Sequence, residues 1–492
     1  MISFVLSIAA LFLGYMVYGR IVERIFGPDD RVTPAVTKAN GVDFVVLPNW
    51  KVFMIQFLNI AGTGPIFGAI MGAKFGPSSY LWIVFGSIFA GSVHDYMAGM
   101  LSMRHGGANL DQLARKYLGE KAHHILLVFM FILLVILGVV FVSSPAVVLA
   151  QVTGYTWGWI ALIFAYFFIS TITPIDKIIG KIYPFFAICM LFMCASLLVM
   201  LFIKMPDIPE FWDGMASRLP GKGGSIFPCL FITIACGALS GFHATQSPIM
   251  ARCLQSERMG RPVFYGAMIT EGLVALVWAA ASSYFFYGKP TAGYLMYEAS
   301  AESGMLTSAP QVVYLLLWDW LGIFGGIIAI LGVVVCPISS GDTAFRSARM
   351  IVADGLKIDQ VSRLKRVMVA VPIFAMAIGI LIWQQTSPDG FNLIWQHFGL
   401  SNQAIGTFAL WVFTVSLARN GKFFYITLLP ALFMTWICTS FLVSSDICLG
   451  FSLRTGYIVG TIAVIVALDW FLIWYRRFTM KHTWLFYKPK NK

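Results

Sequence analysis

Four titratable side chains sit inside stretches of this sequence that are otherwise apolar. Glu271 lies in AMITEGLVALV, His94 and Asp95 lie in GSVHDYMAG, and His243 lies in CGALSGFHATQSP at 236–248. An ionisable group in such a run is costly, so each is a candidate for function. Glu271 suits the uptake and release of a proton, since a carboxyl in apolar surroundings can exchange one near neutral pH. Its bland alternative is a protonated carboxyl that only hydrogen-bonds a neighbouring helix. His94 and Asp95 form either a proton relay or a pair that reaches for the membrane surface. Neighbours on a helix point about 100° apart, so at most one of the two is expected to face a shared pore. His94, Asp95 and His243 together also make a serviceable donor set for a metal ion, the reading kept as an alternative. Asp319 and Asp469, near span ends, read as interfacial.

Two interruptions frame these groups. QFLNIAGTGPIFGA at 56–69 places Ala61, Gly62, Thr63, Gly64 and Pro65 in mid-span, and the 236–248 stretch places Ser240, Gly241, Phe242, His243 and Ser247 likewise. Proline costs about 3 kcal/mol in a helix interior, so these residues predict broken helices. Lipid leaves no backbone polar group unpaired, so a break must line a cavity or be buried in protein. Pro65 suits the first turn of a new half-helix capped by Thr63 or Gly64, and Ser247-Pro248 reads as the same arrangement. A half-helix start favours a carboxylate, and the carbonyls before it suit a cation. A simple kink is the alternative for either break. A third cluster, CPISSGDTAFRSAR at 336–349, offers Ser339, Ser340, Asp342 and Thr343 as oxygen ligands for a cation such as Na⁺. It reads equally as the capped start of a short amphipathic helix carrying Arg346 and Arg349.

The elements that position these residues are membrane helices. Of 492 residues, 59% are hydrophobic and 11% charged, against about 25% charged in soluble domains. Thirteen apolar spans are predicted, at about 2–19, 52–73, 79–101, 123–144, 155–171, 182–203, 226–249, 262–287, 312–337, 367–383, 402–418, 422–443 and 455–475. The first is too long, and lacks the flanks, for a cleaved signal peptide. Of the 34 Lys and Arg, all but Lys74, Lys204, Arg218, Lys222, Lys289 and Arg454 fall in alternate loops. Positive residues stay inside, so the amino terminus is expected outside and the carboxyl terminus in the cytoplasm. The net charge of +12 is thereby topological, with anionic lipid headgroups as its contacts and no role for nucleic acid. The eight cysteines show no CxxC pair, which argues against a disulfide framework or zinc module.

The two breaks fall in spans of opposite direction, five apart, the layout of inverted repeats. The expected organisation is a leading helix and loop (1–51), two five-helix repeats (52–203 and 226–418) and a carboxyl-terminal pair with a basic tail (422–492).

TKANGVDFV (37–45), FLNIAGTGPIFGAIMGAKFG (57–76), GSVHDYMAGMLSMRHGG (91–107), CGALSGFHATQSP (236–248) and YGAMITEGLVAL (265–276) resemble the carbon starvation protein A (CstA) family. The resemblance is collinear over roughly the first 350 residues. It implies a bacterial inner-membrane transporter for peptides or, in some members, pyruvate with protons. It also implies an all-α five-plus-five fold of the leucine-transporter type, with the first helix as an extra. Carried onto this chain, it supports Ala61 to Pro65 and Ser240 to His243 as the central site and Glu271 as a family-type position. The chain differs after the SGFH motif, where Ala244-Thr245-Gln246 replaces a run richer in Ser and Thr, and it ends sooner than longer members.

The expected function is therefore proton-coupled import of a small carboxylate-bearing nutrient. Alternatives are a Na⁺-coupled or metal-ion transporter, a channel or a sensor. No HExxH, GxSxG or Walker A sequence is present, so neither an intramembrane enzyme nor an ATP motor is expected, and no cofactor is implied.

Overall fold

The computed structural model describes residues 1–39, 44–173, 175–215, 217, 219, 221–287, 309–358, 360, 362–387 and 390–486. Arg218, Lys289, Lys488, Lys490 and Lys492 of the charge pattern, and part of the 37–45 motif, lie outside them. Among the described residues every regular element is a helix. Nine helices among the described residues are long and apolar enough to cross a membrane, or ten if the bent pair Asn49–Ala61 and Gly64–Ala73 counts as one span.

The spans expected at 79–101, 155–171 and 226–249 fall outside that number. Residues 78–104 are helical throughout, but this run holds His94, Asp95 and Arg104. Thr156–Ile172 is a 17-residue helix. The third is no continuous helix: residues 226–233 and His243–Ala251 are helical, and the chain between them is not.

Two long helices form the frame. Glu120–Thr153 and Ala309–Gly355 pack along each other, and both Asn49–Ala61 and Ile175–Lys204 lean on the latter. A Cβ on Gly138 would lie 2.4 Å from the Phe345 ring, so glycine permits the close crossing. Ala309–Gly355 contains the expected span at 312–337 and continues beyond it. The chain kinks at Gly322 and then runs helical through Pro337 as far as Gly355. The polar cluster at 336–349 thus lies inside a helix, and its reading as a capped helix start is overturned. Tyr425–Ser444 and Leu453–Phe486 pack against each other, and the latter turns Ile462, Ile465, Val466 and Trp470 outward. The 2–26 helix lies against the helices at 78–85 and 266–287.

Candidate functional site

The first break is sharp. Asn49–Ala61 ends at Gly62, whose φ of 47° and ψ of −144° are open to glycine and little else. The next helix starts at Gly64, bent by 50° from the first. Thr63 stands at its cap position but its hydroxyl makes no capping bond, while Pro65 sits in the first turn as expected. A Cβ on Gly64 would lie 2.0 Å from the Cys236 Cβ and 2.4 Å from its Sγ. The two breaks therefore touch, at a point where only hydrogen fits.

The second break is longer, and its peptide groups are held by side chains from other helices. Trp82 Nε1 donates to the Ile234 carbonyl (2.9 Å), and Ser87 Oγ donates to the Gly237 carbonyl (2.8 Å). The Gly237 N–H donates to Glu271 Oε1 (3.1 Å), and the Phe242 N–H donates to Asn402 Oδ1 (2.7 Å). The Gly241 N–H donates to the Asn402 carbonyl (3.2 Å), and Asn402 Nδ2 donates to Ser240 Oγ (3.0 Å). This is the accounting that an unwound segment in lipid demands. Ser247-Pro248 does not repeat the Pro65 arrangement. The second half-helix begins at His243, so Pro248 is in its interior, and Ser247 Oγ instead accepts a bond from Gln56 Nε2 at 3.1 Å. That contact ties the two broken helices together.

The titratable residues converge in one line. Helix 78–104 approaches so closely that a Cβ on Gly91 would lie 2.2 Å from the Ala238 carbonyl oxygen. Asp95 Oδ2 is 2.9 Å from His243 Nδ1, and Asp95 Oδ1 is 2.8 Å from His94 Nδ1. His243 Nε2 faces Glu271 Oε2 at 3.4 Å. All four side chains are 0% exposed. Of the neighbouring pair, Asp95 reaches His243, while His94 folds back onto Asp95 and its ring rests on Phe413. Glu271, His243, Asp95 and His94 form a line of titratable groups across three elements, with hydrogen bonds joining the last three and ion-pair distance between Glu271 and His243. Cys236 Sγ, with His243 and Glu271, supplies three donor atoms within 4.8 Å of one another, close enough to hold a metal ion. The metal set read from sequence placed His94 and Asp95 there instead.

The candidate cation ligands divide. Ser340 Oγ lies 3.2 Å from both the Leu58 and Asn59 carbonyl oxygens, at the first break. Ser339 and Thr343 donate to carbonyls of their own helix. Asp342 accepts from Tyr183 Oη (2.9 Å) and lies 3.6 Å from Arg346, so it is engaged elsewhere. Asp319 and Asp469 have exposed side chains. Sequence reasoning missed Asn402, Ser87, Trp82, Gln56 and Cys236. Of these, Asn402 beside Gln403 was a legible signal, being an amide pair inside a span.

The CstA (carbon starvation protein) family model matches residues 1–158, 141–309 and 314–441. The chain belongs to the carbon starvation protein CstA family. An uncharacterised membrane protein of Haemophilus influenzae is 42% identical over 64% of this chain and 98% of its own length. The peptide transporter CstA of Escherichia coli K12 is 24% identical over 88% of this chain and 79% of its own. The pyruvate/proton symporter BtsT of the same organism is 28% identical over 59% of this chain and 50% of its own. Among solved structures, a manganese transporter of Eremococcus coleocola superposes with a TM-score of 0.58 at 12% identity, covering 89% of this chain and 99% of that one. That likeness shows a shared all-helical membrane fold.

Proposed function

We propose that this protein is a secondary transporter that imports a small carboxylate-bearing nutrient, a peptide or pyruvate, with protons across the bacterial inner membrane. The observation that carries the reading is the buried line from Glu271 through His243 and Asp95 to His94, placed where two broken helices touch. A proton arriving on Glu271 removes the charge that faces His243 and weakens the bond from Gly237 to Glu271 Oε1. The second break is then free to shift against helix 78–104. Coupling requires such a link between a titrating group and a moving element.

The solute is assigned to the first break. There Asn59 Nδ2, Asn59 Oδ1 and Thr63 Oγ1 are buried without a hydrogen-bond partner, and the start of Gly64–Ala73 favours an anion. The Ser340 hydroxyl and the Leu58 and Asn59 carbonyls give a coupling cation an alternative seat. On this reading residues 52–203 and 226–418 act as oppositely oriented repeats, the amino terminus is outside and the carboxyl terminus cytoplasmic. The two Escherichia coli relatives, a peptide transporter and a pyruvate/proton symporter, support transport of this kind.

The test is uptake of labelled pyruvate and a labelled dipeptide into proteoliposomes, with and without an inward proton gradient. Glu271→Gln is expected to abolish gradient-driven accumulation while leaving exchange of solute across the membrane. Accumulation that follows Na⁺ and ignores the proton gradient would refute the proton reading. Transport of Mn²⁺ in place of either solute would shift the assignment to the Cys236, His243 and Glu271 donors.

A further inference from the structure

A cleft of about 340 Å³ opens at the end of the bundle away from Arg104 and Glu257. It is lined by Phe75, at the outer end of the first break's second half, and by Thr233, the last helical residue before the second break. Trp395 and Gln396 of Gly390–Arg419 complete its wall, and Lys222 and Asp446 stand at its mouth. Lys222 Nζ donates to Asp446 Oδ1 (3.0 Å) and to the Gly450 carbonyl (3.1 Å). The two side chains are 40% and 74% exposed. A pair so open to water contributes little to stability and parts easily.

Beneath the mouth, Trp395 stacks on Phe391 at 6.1 Å and packs against Phe67 at 6.1 Å. Its ring would lie 3.7 Å from a Cβ on Gly68. Phe67 and Gly68 belong to the same half-helix as Gly64, whose contact with Cys236 marks the buried site. The cleft therefore ends on an aromatic layer above the breaks. Its size and mixed lining match a small-molecule pocket, for which the usual range is about 300–1,000 Å³.

We propose that this cleft is a docking site for short zwitterionic peptides on their way to the buried site, with Lys222 receiving the carboxylate and Asp446 the ammonium group. The inference rests on the transporter reading above and deepens it by naming a substrate class. A peptide replaces each partner of the ion pair with a group of the same charge, so opening the mouth leaves neither charge unmatched. Pyruvate gains Lys222 but meets Asp446 as a like charge. The cleft thus favours the peptide, a distinction that the buried residues alone do not make.

The experiment measures equilibrium binding to detergent-solubilised protein and uptake into proteoliposomes, with alanyl-alanine and pyruvate as probes. Asp446→Asn is expected to raise the half-saturating dipeptide concentration about threefold to fivefold and to leave pyruvate unchanged or improved, as for a partly screened charge contact. Lys222→Met is expected to raise it for both. Both residues are at the surface, so thermal stability should hold. Dipeptide values within about twofold of the parent in either variant, inside the range of an inert surface pair, would overturn the proposal. So would equal shifts for both solutes in Asp446→Asn, which would make the pair structural. If the parent binds dipeptide but accumulates neither solute, the transport reading falls, and a weaker dipeptide affinity in Asp446→Asn still upholds the cleft. If the parent binds no dipeptide, the cleft proposal falls whatever pyruvate does.

Discussion

The two breaks solve one physical problem in opposite ways. In the second, the unwound peptide groups find partners on neighbouring helices: Trp82, Ser87, Glu271 and Asn402 between them serve Ile234, Gly237, Gly241 and Phe242. In the first, Asn59 and Thr63 keep buried polar atoms with no partner among the described residues, and Ser340 has one hydroxyl hydrogen for two carbonyls. An unmade buried hydrogen bond costs about 1–3 kcal/mol. A protein retains such groups where a ligand can satisfy them. Beside the second break the unpartnered buried atoms are His243 Nε2, Gln246 Oε1 and Glu271 Oε2. The comparison supports the proposal that proton traffic belongs there and solute or cation binding to the first break.

The largest effect that would break this comparison is at the contact between the two. Gly64→Leu drives a side chain into Cys236, whose Cβ already lies 2.0 Å from the nearest position a Cβ could take. Loss of all uptake, together with a lower melting temperature in detergent, is the expected result. Full transport by this variant would mean that the breaks do not meet as described.

Asn402→Ala probes the wired break by itself. It leaves the Phe242 N–H buried and unpaired and frees Ser240, so a loss of about 2 kcal/mol is expected, read as earlier thermal unfolding in detergent. Thr63→Val is its counterpart at the unwired break. The Thr63 hydroxyl bonds nothing in the protein, so stability should stay within about 0.5 kcal/mol while solute affinity falls about fivefold. Equal losses of stability at the two positions would erase the distinction drawn between the breaks.

The smallest effect concerns pH and a third region. At the basic end of the bundle, Glu257 is 1% exposed and accepts from Arg104 Nε (3.0 Å) and Nη2 (2.9 Å), while the Asp29 N–H donates to its Oε2 (3.1 Å). Arg31's guanidinium, bonded to the Asp29 side chain, holds that carboxyl well below the usual carboxylate range. A depressed carboxyl adds stability above its unfolded value, about 3.9, and loses it only as pH falls through the lower folded value. Asp29 is therefore ionised throughout from about pH 5.5 to 8. The pH profile of uptake in Asp29→Asn should superimpose on that of the parent across this window. A displaced profile would place a titrating group in this cluster and weaken the case for the buried line.

Much of this arrangement was legible in the residues. Apolar runs and basic loops marked an all-helical membrane protein. Gly62 to Pro65 marked a break because these residue types oppose a helix in any context. Glu271, His94, Asp95 and His243 stood out because charge is rare in lipid. Where the second helix resumes was not legible: Ser247-Pro248 looked like a start, yet the chain re-enters the helix at His243, because Asn402 and Glu271 hold the segment before it. Nor was the continuation of Ala309–Gly355 through Pro337, since packing against Glu120–Thr153 outweighs the local cost of proline.

What the sequence by itself determined is therefore chemical and local: the solvent this chain folds in, where its helices must fail, and which side chains can carry a proton. Only the tertiary structure decided which of them meet. Asp95 and His243 are 148 residues apart, and their contact depends on Gly91 letting one helix press against Ala238. No pattern along the chain encodes that approach, because it is set by how several helices share one interior.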